Sequence, residues 1–274
     1  MNSLSIPPLV MAGITFYVGA YHVLIYLRQR ERRENLTFAL SCLAMGLYDL
    51  FTAGLYNTTS AVEGVHWQRA QVATLALVGI TFSWFVYDYL KPTSALPAKT
   101  RTVLVCLSIY FALAAVTGML DHSGLYRPLD QPAVKEIQFF GRQITYYEME
   151  PGPLTNLQSV VGLAALVYLM WITVHVYRRG YRKETRPLLV AMAFFFASAV
   201  SDTAMAFGLY PFVYTLEYAY LGMVLLMTYS LTSTVVEAAA MKQALQESEE
   251  RFRRLAENAP DIIFRWSVER ARVH

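Results

Sequence analysis

Seven stretches of about 20 mostly apolar residues, near 7–27, 36–56, 67–90, 102–120, 154–176, 187–208 and 211–233, limit this chain more than any other feature. Each is about as long as an α-helix needs to cross the hydrocarbon core of a bilayer. A soluble core would show periodic apolar positions instead of continuous runs. The composition agrees, with 55% hydrophobic and only 16% charged residues, where soluble domains carry about 25% charged. The expected fold class is an all-α membrane protein, a seven-transmembrane helix bundle.

The distribution of Lys and Arg sets the expected orientation. Segments 28–35, 91–101 and 177–186 hold twelve of them: Arg28, Arg30, Arg32, Arg33, Lys91, Lys99, Arg101, Arg178, Arg179, Arg182, Lys183 and Arg186. The opposite side holds four, Arg69, Arg127, Lys135 and Arg142. Positive residues stay cytoplasmic, so the N-terminus is expected outside and the C-terminus inside. Residues 1–27 have no basic n-region and too long an apolar run for a cleavable signal peptide. Spans six and seven are expected to form a tight hairpin through Tyr210–Pro211. In the long external segment 121–153, β-prone runs on either side of Gly141 predict a short extracytoplasmic β-hairpin, a cap for an external pocket.

Three acids lie inside spans, where ionisable residues are costly and face the bundle interior. Asp49, Asp202 and Glu217 each sit six or seven residues from the outer end of their span, about 9–10 Å deep at 1.5 Å per residue. Tyr48, Tyr56, Tyr214, Tyr218, Trp67, Gln68 and Arg69 share that depth. The candidate ligand-binding residues are therefore Asp49, Tyr48, Trp67, Arg69, Asp202, Tyr214, Glu217 and Tyr218. The other reading of the acids is a set of interhelical hydrogen bonds. The likeness of "YDLFTAGLY" to "SDTAMAFGLY" allows an internal repeat of the transporter kind. It supports an alternative, a transporter or ion-conducting protein that uses Asp49, Asp202 and Glu217 as its path.

Cofactor and catalytic motifs are not found. Cys42 and Cys106 each sit in an apolar run, which excludes a disulfide framework or a clustered metal motif. His22 and His175 lie toward inner span ends, and nothing else supports haem ligation there. No lysine lies within a span, so no retinal Schiff base is expected. No phosphate loop, dinucleotide fingerprint or hydrolase motif occurs. The chain as given is not expected to be an enzyme, to bind a cofactor or metal, or to bind nucleic acid.

Beyond span seven, Leu231, Thr234, Ala238, Met241, Leu245, Ser248, Phe252 and Leu255 follow alternating three- and four-residue spacing. That is the seam of a coiled coil. Glu247–Arg251, Glu249–Arg253 and Glu250–Arg254 are i,i+4 pairs in the favourable order. A lone helix cannot bury this stripe in water, so a parallel homodimer is expected, with a switchable link to span seven. "NAP" at 258–260 ends the helix, and "DIIFRW" reads as a strand.

"SEERFRRLAENAPDIIFRWS" resembles the entry of a PAS sensor domain. "SDTAMAFGLYPFVYTLEYAYLGMVLLMTYSLTSTVVE" and "RENLTFALSCLAMGLYDL" resemble spans of the N-terminal seven-transmembrane input modules of bacterial sensor histidine kinases and PAS-linked diguanylate cyclases. The resemblance implies a bacterial inner-membrane receptor in two-component or related signalling. It would bind an unknown small ligand among lipids and pass the signal to a cytoplasmic output domain or response regulator. The expected organisation is a sensor domain at 1–233, a cytoplasmic signalling helix at 234–257, and a PAS start at 258–274. That PAS start is cut short, leaving the strand unpaired.

Overall fold

The computed structural model describes residues 2–121, 123–126, 132–139, 142–207, 209–210 and 213–257, apart from the side chains at 132, 133, 138, 139, 142, 206, 234, 235 and 237–239. Contacts divide the chain into two compact units, Met1–Thr228 and Tyr229–His274. The expected seven helices are present: α1 Ile6–Arg28, α2 Arg33–Leu55, α3 Ala61–Leu90, α4 Thr100–Met119, α5 Pro153–Arg178, α6 Arg182–Ala206 and α7 Leu216–Glu257. Six of them, α1 to α6, are long and apolar enough to cross a membrane among the described residues. In α7, Glu217, Tyr218, Tyr220, Thr228 and Tyr229 dilute the apolar run.

Local chemistry explains where the helices start. Pro7 and Pro8 open α1 and Pro153 opens α5, positions where the missing N–H costs nothing. α3 starts six residues before the expected 67. Ser60 Oγ accepts from the Glu63 N–H at 3.4 Å, and the Glu63 carboxylate accepts from the Thr59 N–H at 2.9 Å. This reciprocal capping extends the helix beyond its apolar part. Gly180, in the turn between α5 and α6, has φ of +109°, a conformation that a side chain would oppose. The last helix begins at Leu216 rather than 211, so the expected tight turn at Tyr210–Pro211 is a longer connection. Pro211 itself lies outside the described residues.

The helices of the first unit run up and down, so the bundle has a basic end and a hairpin end. At the basic end, His22 Nδ1 on α1 bonds Asn35 Oδ1 on α2 at 2.8 Å, and Tyr89 Oη on α3 donates to the Glu184 carbonyl on α6 at 2.8 Å. Midway, Ser41 Oγ and Tyr220 Oη join α2 to α7 at 2.6 Å, and Trp84 Nε1 on α3 donates to Ser108 Oγ on α4 at 2.9 Å. Such bonds hold bundles together where lipid offers no hydrophobic drive, at about 0.6 kcal/mol each. Small residues let α3, α4 and α5 close on one another around Ala76, Phe111, Ala114 and Ala165.

The predicted hairpin is present. β1 Pro132–Phe139 pairs antiparallel with β2 Arg142–Met149, in a register that places Ile137 opposite Ile144. Gly141, expected at its turn, lies outside the described residues. The hairpin packs down onto the helices: Leu4, Leu55, Tyr56, Ile144 and Tyr146 form one buried cluster. The Tyr147 N–H donates to Thr58 Oγ1 at 3.1 Å, and the Met149 N–H to Gln68 Oε1 at 2.8 Å. A side chain at Gly64 would collide with the Tyr147 carbonyl oxygen, so glycine permits this close approach.

In the second unit, Met241, Leu245, Phe252 and Leu255 are all more than half exposed, and Ser248 is exposed. Leu231, the first seam position, is buried. The side chains of Thr234 and Ala238 lie outside the described residues. Glu250 pairs with Arg254 at 3.7 Å as expected. Arg253 reaches forward to Glu257 at 3.8 Å, where the sequence suggested Glu249. The strand expected at "DIIFRW" also lies outside the described residues.

Candidate functional site

The hairpin end of the bundle gathers four acids. Asp49 comes from α2, Asp202 from α6, Glu217 from α7 and Glu148 from β2. All are buried, Asp49 and Glu217 to within 2% of full burial. Glu217 lies within electrostatic reach of both Asp49 and Asp202, and Tyr48 within reach of all four acids. None of the four makes an ion pair among the described residues.

The acids are not equivalent. Asp202 is committed to structure: Oδ1 accepts from the Thr215 N–H and Thr215 Oγ1, both at 2.8 Å, and Oδ2 accepts from the Leu216 N–H at 2.9 Å. The carboxylate of α6 thus caps the N-terminus of α7, where orphan N–H groups and the helix dipole favour an anion. Glu148 accepts from Tyr214 Oη through Oε1 and leaves Oε2 without a partner. Among the described residues Asp49 Oδ1 and both oxygens of Glu217 have no partner at hydrogen-bond distance, although the Thr52 hydroxyl lies near the Glu217 carboxyl. The resemblance between the Asp49 and Asp202 segments therefore does not extend to the roles of their acids.

The hairpin supplies the aromatic side of this layer. Tyr56 and Tyr146 meet edge to face, with centroids 5.1 Å apart. Burial, then the carboxyls of Glu148 and Glu217, push the Tyr146 phenol above its usual range, so it stays neutral. Nearby, the loop after α4 is tied down by Asp121. Its carboxylate accepts from the Ser123 N–H at 3.0 Å, Ser123 Oγ at 2.7 Å and the Tyr126 N–H at 2.8 Å. The Tyr126 carbonyl then accepts from the Gly152 N–H at 2.8 Å and Thr155 Oγ1 at 2.6 Å, which anchors the start of α5.

A cavity of about 180 Å³ opens beside the acids, between α3, α5 and α6. Its wall is apolar along Val78, Phe82, Phe111, Leu166, Leu169 and Phe195. Tyr48, Gln71, Gln158, Asp202, Thr203 and Tyr214 supply polar groups. Gln158 Nε2 donates to the Val72 carbonyl at 3.0 Å, while its Oε1 has no partner. Gln71 Nε2 donates to Thr52 Oγ1 at 2.8 Å.

Of the eight candidate residues, the structure brings Tyr48, Asp202 and Tyr214 to this cavity, with Asp49 and Glu217 buried in the same layer. Trp67, Arg69 and Tyr218 do not line it. Trp67 lies against α2, so close to Gly54 that an added Cβ would meet its ring, and 6.2 Å from Phe51. Arg69 and Tyr218 share the depth of the acids without lining the cavity, and Tyr218 lies within electrostatic reach of Glu217. Tyr218 is 44% exposed, and Arg69 keeps Nε and Nη2 buried without partners.

Glu148, Gln71 and Gln158 were missed by the sequence reading. Glu148 had a legible signal. Ile144, Tyr146 and Glu148 alternate along β2 and so share one face, which makes Glu148 an acid at an apolar-facing position. Among the described residues no group of His, Cys, Asp and Glu is arranged to hold a metal ion.

The family model described as "7TM diverse intracellular signalling" matches residues 9–233, more than half of the chain. No curated protein matches the chain.

Proposed function

The chain belongs to the 7TM diverse intracellular signalling family, and from that premise we propose that it is a receptor whose ligand occupies the cavity at the hairpin end and whose output leaves through α7. The coarser statement needs no proposal: this is a multi-pass membrane protein carrying a signalling input module.

The observation that carries the reading is the double duty of α7. Its first turn holds Glu217 in the acidic layer and is capped by Asp202, a cavity-wall residue. The same helix continues to Glu257. A ligand that moves Asp202 acts directly on the start of α7, and a helix with two packing arrangements is what a switch requires. Met241, Leu245, Phe252 and Leu255 are exposed in the single chain. In this reading a second copy buries them in a parallel coiled coil. The output is a cytoplasmic kinase or cyclase joined through a PAS domain, in a bacterial inner membrane, with the N-terminus outside. The expected ligand set is revised to the cavity wall, with Glu148 added and Trp67, Arg69 and Tyr218 set aside.

The transporter alternative rests on a polar layer of acids at one depth and the likeness of the Asp49 and Asp202 segments. The commitment of Asp202 to the α7 cap weighs against it.

A chimera tests the proposal. The chain through Glu257 is joined to a histidine-kinase catalytic core, and autophosphorylation is measured in membranes. Asp49→Asn, Glu217→Gln and Tyr48→Phe are expected to shift basal output at normal expression. Unchanged output from all three would sink the receptor reading.

A further inference from the structure

From the cavity wall and the acids behind it, we infer that the ligand class is an amphipathic amine, a short apolar chain ending in an ammonium group. This rests on reading the cavity as the receptor's site and adds the chemistry of what enters it.

Four observations meet here. The inner wall of the cavity is hydrocarbon and aromatic, so its occupant carries an apolar body. No Lys, Arg or His belongs to the wall. Asp202 lines the cavity, and Asp49, Glu148 and Glu217 lie behind it within electrostatic reach of Tyr48, another wall residue; none of the four has an ion pair among the described residues, and buried charge is ordinarily paired. The unpartnered buried oxygens of the four acids and of Gln158 are Asp49 Oδ1, Glu148 Oε2, both Glu217 oxygens and Gln158 Oε1, while the unpartnered donors at that depth, Gln68 Nε2 and Arg69 Nε and Nη2, belong to residues outside the cavity wall. Asp202 Oδ2 accepts one bond where it has room for two. An ammonium group offers three donors and one positive charge. A carboxylate or phosphate head would add acceptors to acceptors, and a hydroxyl brings one donor without charge. A bare metal ion is disfavoured, because the acids are not arranged as a ligand set among the described residues.

Gly162 on α5 gives a way to fill the cavity without disturbing the fold. It lies in the wall, and a Cβ built on it meets nothing within 4 Å. A leucine there occupies ligand space and is a better helix former than glycine.

The test is calorimetric titration of the purified full chain in phosphatidylcholine nanodiscs, with empty nanodiscs subtracted, using octylamine, 1-octanol and octanoate as probes. Octylamine is expected to saturate one site per chain, at least about tenfold more tightly than 1-octanol, and octanoate not to saturate. Gly162→Leu is expected to remove octylamine saturation without lowering the unfolding temperature. Gln158→Leu is expected to weaken octylamine more than 1-octanol. Equal affinity for the amine and the alcohol, a preference for octanoate, or amine saturation that survives Gly162→Leu would each overturn the inference. The readout is binding, so it is separate from the chimera. A responsive chimera without amine saturation discards the amine alone. Amine saturation beside an unresponsive chimera upholds the site and discards the receptor reading.

Discussion

The side chain of Asp202, in the last turns of α6, accepts the N–H of Leu216, the first residue of α7, at 2.9 Å. Two consecutive helices are thereby joined by an acid of one capping the other.

This cap can be measured. Asp202→Ala is expected to lower stability by about 1–2 kcal/mol, and Asp202→Asn by less than half of that, since asparagine caps nearly as well. Thermal unfolding in detergent micelles reads the difference. Equal losses for the two variants would show that the hydrogen bonds to Thr215 and Leu216 do not hold α7.

The link between Tyr214 and Glu148 joins the hairpin to the connection before α7. Tyr214→Phe leaves the buried Glu148 carboxyl with no partner on either oxygen, a loss of about 1–3 kcal/mol. Glu148→Gln and the double variant complete a cycle, with an expected coupling of at least about 0.5 kcal/mol. Additive losses would mean the two residues act separately.

Acid should loosen the loop after α4. Burial pushes the Asp121 carboxyl up, but the bonds from Ser123 and Tyr126 outweigh it and hold the group below its usual value. A folded-state value below the unfolded one stabilises at pH above the unfolded value, about 4, and that contribution fades as pH falls through the folded value. Limited proteolysis between Asp121 and Gly152 is therefore expected to rise as pH drops below about 4, whereas Asp121→Asn shows a flatter profile. Identical profiles would remove Asp121 as the acid-sensitive element.

Gly64→Ala places a methyl group against the Tyr147 carbonyl. The backbone cannot yield as a flexible side chain would, so the hairpin is expected to lift from α3, at a cost of about 1–3 kcal/mol. Increased hydrogen exchange at the Tyr147 and Met149 amides, which bond Thr58 and Gln68, would report it. Unchanged exchange would refute the close docking.

The exposed stripe on α7 gives a further test. Leu245→Asp is expected to abolish cysteine cross-linking between copies at position 241 and to silence the chimera, while the bundle remains folded. Cross-linking that persists at wild-type efficiency would rule out the coiled-coil seam.

Residues along the chain differ in how far they could be read beforehand. The bundle was legible because continuous apolar runs and a Lys and Arg bias act through transfer energies that depend on composition, not on partners. The hairpin was legible from β-prone runs around Gly141. Asp49, Asp202 and Glu217 were legible as a layer, because depth along a helix is a matter of counting residues. Rotation about each helix axis was harder to read, and for that reason Trp67, Arg69 and Tyr218 share the depth of the acids without lining the cavity. Helix starts shifted where side chains, not hydropathy, set the boundary, as Ser60 and Glu63 do for α3.

The sequence by itself thus determined that this chain is a bundle of membrane helices with buried acids near one end, since burial of apolar surface and charge in lipid leaves few other solutions. Only the tertiary structure decided which acids are already hydrogen-bonded. Asp202 is occupied by the α7 amides, and Glu148 joins the layer because its strand folds back onto the helices. Glu217 has both oxygens without a hydrogen-bond partner among the described residues. Those outcomes depend on hydrogen bonds between residues far apart in the chain, which spacing within one segment does not encode.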